Sequence, residues 1–117
     1  MSYVDGFVAA VPKANKQQYL QHAKVAAVVF REHGASRVVE CWEDDVPEGE
    51  VTSFPKAVLK QDDESIVFSW VEWPSKAIRD VGMQKVFEDE RMTSGHNPMP
   101  FDGKRLIYGG FNLIQEA

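Results

Sequence analysis

The clearest pattern in the chain is a run of eight mostly β-branched and aromatic residues at 66–73, IVFSWVEW, stopped by Pro74. Proline brings no N–H to a sheet ladder, so the strand ends there. Ser75 stands where a helix cap belongs, its hydroxyl free to accept from first-turn amides. The helix it opens is predicted to end near Met92, with Ala77, Ile78, Val81, Val86 and Phe87 turned inward. Residues 3–11 form an earlier strand closed by Pro12. Its alternate positions divide into a small apolar set (Val4, Gly6, Val8, Ala10) and a mixed set (Tyr3, Asp5, Phe7, Ala9). The small set is expected beneath a helix, and the mixed set on a face covered by something else.

Asn15 and Gln18 resemble a capping box at the head of a helix reaching His33, with Gly34 as its stop. Its apolar stripe is Tyr19, Leu20, Ala23, Ala26, Ala27 and Phe30. Residues 35–44 return as a strand. Residues 45–55, punctuated by Pro47, Gly49 and Pro55, read as a loop, with a brief ordered piece at 57–60 and a polar turn at 61–65. After a second loop at 93–103, where Asp102 and Gly103 make a turn, residues 104–113 form the last strand. Gly109 and Gly110 mark a bulge or a close approach within it. The order β-α-β-β-α-β predicts an α+β, ferredoxin-like subunit: one domain over residues 1–117, with two helices on one face of a four-stranded antiparallel sheet.

Both faces of that sheet carry large apolar groups. In the third strand Ile66, Phe68 and Trp70 oppose Val67, Val71 and Trp73; in the last, Ile107 and Phe111 oppose Leu106 and Tyr108. Helices cover one face only. An apolar second face predicts a second copy of the chain packed sheet to sheet about a two-fold axis. The alternative is that residues 45–61 fold over it.

Composition narrows the function classes. Hydrophobic residues at 44% and charged ones at 26% fit a globular domain. A net charge of −5, with no Lys/Arg cluster, argues against generic nucleic-acid binding. No apolar run is long enough to span a bilayer, and the opening MSYVDGFVAAVPK lacks the positive region of a signal peptide. Cys41 is the only cysteine, which excludes an intrachain disulfide and fits a cytoplasmic setting.

Charges within strands are the first candidates for chemistry: Asp5, Glu40, Glu72 and Arg105. Asp5 or Glu72 paired with Arg105 would satisfy a buried charge, grip a polar ligand, or leave a carboxylate with a raised pKa as a general base. The plainer reading makes them structural or rim pairs. Trp42, Trp70, Trp73 and Tyr108 are candidates to line a pocket for a planar ligand, or else core and interface anchors. His22 and His33 fall toward the exposed side of the first helix, whereas His96 sits in the glycine–proline loop, at a cavity mouth, as a general acid or base. Catalytic candidates are thus Asp5, Glu72, His96 and Tyr108; ligand-binding candidates are Trp42, Trp70, Trp73 and Arg105. No metal-ligand spacing, P-loop, G-x-G-x-x-G or nucleophile elbow occurs, and acidic neighbours disfavour Cys41 as a nucleophile. No cofactor is expected.

The segments YVDGFVAAVPKAN, VVECWEDDVPEGE, FSWVEWPSKAIRDVGMQKVFEDERM and MPFDGKRLIYGGF together resemble the YbaA-like family of uncharacterised bacterial proteins, over nearly the whole chain. The resemblance implies the fold of the dimeric α/β barrel superfamily, in which two ferredoxin-like subunits close their sheets into a barrel. It implies no activity. Three functions follow as expectations: a homodimeric module holding a small, partly aromatic molecule between sheet and helices; a cofactor-independent monooxygenase- or isomerase-like enzyme; or a structural dimer with no ligand. Fold analogy does not choose among them.

Overall fold

Tyr3–Pro12 forms the first strand, β1, and Pro12 leads into a 3-10 turn at Lys13–Asn15. A computed structural model describes residues 2–117. Helix α1 spans Lys16–Glu32, strand β2 Arg37–Trp42, the short helix α2 Phe54–Ala57, strand β3 Glu64–Trp73, helix α3 Lys76–Glu88 and strand β4 Ile107–Asn112. The four strands form one sheet in the order β2-β3-β1-β4, with every neighbouring pair antiparallel.

The Pro74–Ser75 stop is as expected. Ser75 Oγ accepts from the amide of Ile78 at 3.2 Å and caps α3. Gly34 has φ +113°, a left-handed conformation that glycine adopts without penalty, and ends α1. The capping box does not form. Asn15 makes no side-chain cap, and its Nδ2 instead donates to the Pro100 carbonyl at 2.9 Å, tying the head of α1 to the loop after α3. Asp102 caps a 3-10 turn at Gly103–Arg105, so β4 starts later than expected and Arg105 precedes it.

The faces of β1 are the reverse of the expectation. Ala9 and Val11 pack with Tyr19 and Ala23 of α1 and Val67 of β3. Tyr3 and Phe7 pack with Val71, Trp73 and Phe30. The mixed set therefore lies under the helices, and Val4, Gly6, Val8 and Ala10 face away. Ala9 of the mixed set is as small as anything in the other set bar Gly6, and Tyr3 and Phe7 find room beside Trp73 and Phe30. The charge that argued against the mixed set, Asp5, is neutralised from α3 by a residue 74 positions away.

The inward stripe of α3 also differs. Gly82 and Val86 are its buried residues, with Arg79 and Met83 half-buried beside them, whereas Ile78, Val81 and Phe87 are exposed. Gly82 is needed because α3 lies directly on Trp73. A Cβ there would stand 2.5 Å from the indole ring and closer still to the His33 carbonyl oxygen.

On the far face, Val58 follows α2 and packs on Val8, Ala10 and Ile66. Phe54 meets Phe68 edge-on with ring centroids 5.8 Å apart. The 45–61 segment thus covers one end of the face. The rest stays open: Phe68 is 43%, Ile107 44% and Phe111 62% exposed.

Gly82→Ala should destabilise the fold by about 1–2 kcal/mol, because overpacking against Trp73 outweighs the gain in helix propensity. Urea unfolding tests this; an unchanged or higher midpoint would contradict the close contact.

Candidate functional site

The sheet and its helices do not close fully on each other. Short side chains on α1 (Ala23, Ala26) leave room under that helix, and long side chains stand around the space. A cavity of about 650 Å³ opens between β1, β4 and α3, lined chiefly by Phe7, Phe30, Met83, Phe87 and Tyr108. A second space of about 200 Å³ lies under α1 and reaches β2 and β3. The two share Phe7, Phe30, Phe87, Met99 and Leu106, and are chambers of one cleft. The loop after α3 closes one side: buried Asn97 donates from Nδ2 to the His22 carbonyl at 3.2 Å, and Phe101 packs on Tyr19.

Two polar groups break these apolar walls. In the outer chamber Asp5 is 3% exposed and fully engaged. Arg79 grips it through Nη2 at 2.7 Å and Nε at 3.0 and 3.2 Å, and Trp73 Nε1 donates to it at 2.9 Å. The guanidinium also lies over the Tyr3 ring, 5.1 Å from its centroid. Every strong acceptor site of Asp5 is filled from within the chain, and the fork holds Arg79 in place.

In the inner chamber the Tyr19 hydroxyl, on α1, donates to Glu40 Oε1, on β2, at 2.5 Å. Ser69 is the register partner of Glu40 on β3. As a residue on an edge strand Glu40 is exposed, but its carboxyl end is crowded under α1. That desolvation pushes the Glu40 carboxyl above the ordinary glutamate value, while hydrogen bonds from Tyr19 and Ser69 pull the other way. Burial, and then the adjacent carboxylate, push the Tyr19 phenol well above its usual range, so the shared proton stays on oxygen of Tyr19. His22 lines the same chamber. Burial lowers its pKa against contacts with Asn97 and Pro98 that favour the charged ring, and its Nδ1 is buried without a hydrogen-bond partner.

The remaining candidates are dispersed. Glu72 lies on the open face, where it accepts from Trp70 Nε1 at 2.8 Å and stands 3.6 Å from Arg37. Arg105 pairs with neither Asp5 nor Glu72: it forks onto buried Glu64 at 2.6 and 2.8 Å and reaches Asp102 at 3.1 Å. The Arg105 guanidinium holds the Glu64 carboxyl below its ordinary value. Trp73 is fully buried. Trp42 is half-buried under α1, with Lys16 Nζ 5.2 Å from its ring centroid. His96 is exposed, bonded to Thr93 at 2.9 Å, and outside the cleft walls. Tyr108 does line the outer chamber, stacked on Phe7 with centroids 6.3 Å apart. Among the described residues no group of His, Cys, Asp and Glu side chains is placed to hold a metal ion.

Residues 2–103 match the model of a family described as a protein of unknown function, DUF1428. The chain belongs to that family. It is 54% identical over 114 residues to the uncharacterised protein YbaA of Escherichia coli K12, covering 97% of each chain. The same identity and coverage relate it to YbaA of Shigella flexneri. These relatives carry no described activity, so what a DUF1428 chain does must be argued from its own cleft.

Tyr19 and His22 are not among the residues expected at a site, because on α1 they look like a core aromatic and a surface histidine. Their spacing of three places them on one helix face, and that was the available signal. Arg79 gave none, since only the fold brings it to Asp5.

Asp5→Asn should cost about 3 kcal/mol, since it leaves the Arg79 charge facing a neutral amide in a largely buried site. Chemical denaturation measures this, and a loss below about 0.5 kcal/mol, the scale of an ordinary surface change, would make the pair dispensable. Glu40→Gln has the opposite sign. A raised folded-state pKa means that the ionised carboxylate is disfavoured in the fold above that pKa, and the penalty vanishes as pH falls below the unfolded value of 4.5. The variant should therefore unfold at a higher midpoint than wild type at pH ~7 and at the same midpoint at pH ~4, a window set by that shift.

Proposed function

We propose that this protein is a homodimeric small-molecule-binding module: a ferredoxin-like subunit that uses its open sheet face to dimerise and the cleft under its helices to hold a flat, largely apolar and uncharged ligand. The observation that carries the ligand reading is the cleft itself. Ligand sites are concave, mostly apolar, and furnished with a few fixed polar groups. Here aromatic, aliphatic and methionine side chains form most of the walls, and the polar side chains gather at two ends, Asp5, Arg79, Asp80 and Gln84 at one and Tyr19, His22, Glu40 and Ser69 at the other. Among the described residues the only arginine in the walls is committed to Asp5 and Asp80, so an anionic ligand finds no free arginine there. An uncharged ring system bearing a hydroxyl or carbonyl meets both walls and ends.

The dimer reading rests on Val4, Val39, Phe68, Trp70, Ile107 and Phe111, which share the open face around the region that α2 leaves bare. A face of that kind fits a self-complementary two-fold contact, with Arg37 and Glu72 at its margin. The strand order β2-β3-β1-β4 supports the ferredoxin-like assignment, and two such sheets packed face to face would make the dimeric α/β barrel. We assign the whole chain to one such domain and a cytoplasmic setting, in keeping with its exposed free thiol at Cys41.

Nile red, a neutral and flat fluorophore, tests the cleft. It should bind saturably with a blue-shifted emission, and Ala26→Trp, which fills the space under α1, should weaken binding at least about tenfold. Undiminished binding in that variant would remove the cleft as the site. Sedimentation tests the other half: wild type should run as a dimer, and Phe111→Asp, by placing a charge on the open face, should run as a folded monomer. A monomeric wild type at micromolar concentration would end the dimer reading.

A further inference from the structure

Resting on the binding reading above, we propose that Glu40 is a general base at the inner end of the cleft, moving a proton on a flat, uncharged substrate that carries an acidic C–H beside a carbonyl. The geometry supplies the parts. Glu40 forms part of the wall of the inner chamber, and the rest of that wall is mostly apolar. Its Oε1 is held by the Tyr19 hydroxyl at 2.5 Å, and Ser69 steadies the carboxyl from β3, so the group is fixed at the chamber wall where a substrate hydrogen can reach it. Carboxylates stripped of water by apolar neighbours are stronger bases than the same groups in solution. His22 lines the same chamber, and its buried Nδ1 has no hydrogen-bond partner within the chain.

The groups that act on Glu40 are few. Tyr19 faces it from α1 and Ser69 from β3; on β2 itself, Arg37, Val39 and Cys41 point to the opposite face. No lysine or arginine contributes to its titration, unlike Asp5, Glu64 and Asp89, which are all tied to guanidinium groups. Among these carboxylates Glu40 alone combines a position in the cleft wall with freedom from a cation.

The reaction class balances without an external oxidant or reductant. The Glu40 carboxylate takes a proton from the carbon next to the substrate carbonyl, and the electron pair moves onto the carbonyl oxygen as an enolate. Where a carbon–carbon double bond flanks that C–H, the enolate extends over it as a dienolate, and the carboxylic acid returns the proton to the far (γ) carbon. A double bond shifts, and the enzyme ends as it began. Tyr19 is a positioning residue: it holds the carboxyl toward the chamber and tempers its basicity.

Nitrobenzisoxazole is a neutral, flat probe for this activity. A base removes its ring C–H proton, the electron pair closes a nitrile, and the N–O bond breaks to give a coloured phenolate. The full-length wild-type protein should open it saturably, at least about 100-fold faster than the same concentration of acetate. The rate should rise with pH through a half-point above the ordinary glutamate value of 4.5. Glu40→Gln should lose that rate while still binding Nile red. Tyr19→Phe, which removes a hydrogen bond to the carboxylate, should move the half-point to higher pH. The proposal is overturned if the Glu40→Gln protein turns the probe over as wild type does, or if wild type binds the probe, seen as displacement of Nile red, without accelerating it. If neither dye nor probe binds, the binding reading fails and this proposal with it.

Discussion

The buried carboxylate of Asp5 is the interaction on which the rest of the structure depends. It sits on β1, the second of the two central strands, and receives Trp73 from β3 and Arg79 from α3. A lone carboxylate there would face a desolvation penalty of several kcal/mol; the fork and the indole N–H offset it. The same contacts fix the height and rotation of α3 over the sheet. Gly110 on β4 lies opposite Asp5, and a Cβ there would collide with the Tyr3 hydroxyl and come within 2.8 Å of Arg79. Gly82 and Gly110 are thus two sides of one constraint: each withholds a side chain so that Trp73 and Arg79 can reach Asp5.

Fixing α3 this way also creates the cleft. Its inward stripe is a glycine, an arginine committed elsewhere, a methionine and a valine, which is too little volume to fill the space over β1 and β4. Phe87 and Tyr108 stand at the edge of that space largely exposed, at 77% and 75%. A core of this size would ordinarily bury such rings. Their exposure around a concave apolar space is the feature on which the proposed binding role rests.

Much of the fold was legible in the residues. The strand at 66–73, Pro74 and Ser75 are local signals with local causes, and they hold in the structure. The alternation within β3 and β4 sorted their residues into the two sides that the register shows, without saying which side the helices cover. It misassigned β1 because Val4, Val8, Ala9 and Ala10 are equally acceptable beneath a helix, and Asp5 tipped the choice the wrong way. The site was less legible for the same reason. Asp5–Arg79, Glu64–Arg105 and Tyr19–Glu40 join residues 74, 41 and 21 positions apart, on elements whose packing sets the pairing. Glu72 was visible as a charge on a strand, yet its parity with Trp70 places it on the face away from the helices. Tyr108 was visible only as an aromatic on a strand, and the register of β4 against β1 is what sets it in the cleft wall.

Native mass spectrometry of protein purified gently from its own cells tests the central claim, a dimer with a ligand-holding cleft in each subunit, most directly. The account predicts a dimer carrying up to two copies of an added small neutral molecule, lost when the complex is activated in the gas phase. A monomer without added mass would contradict both the use of the open face and the purpose of the cleft.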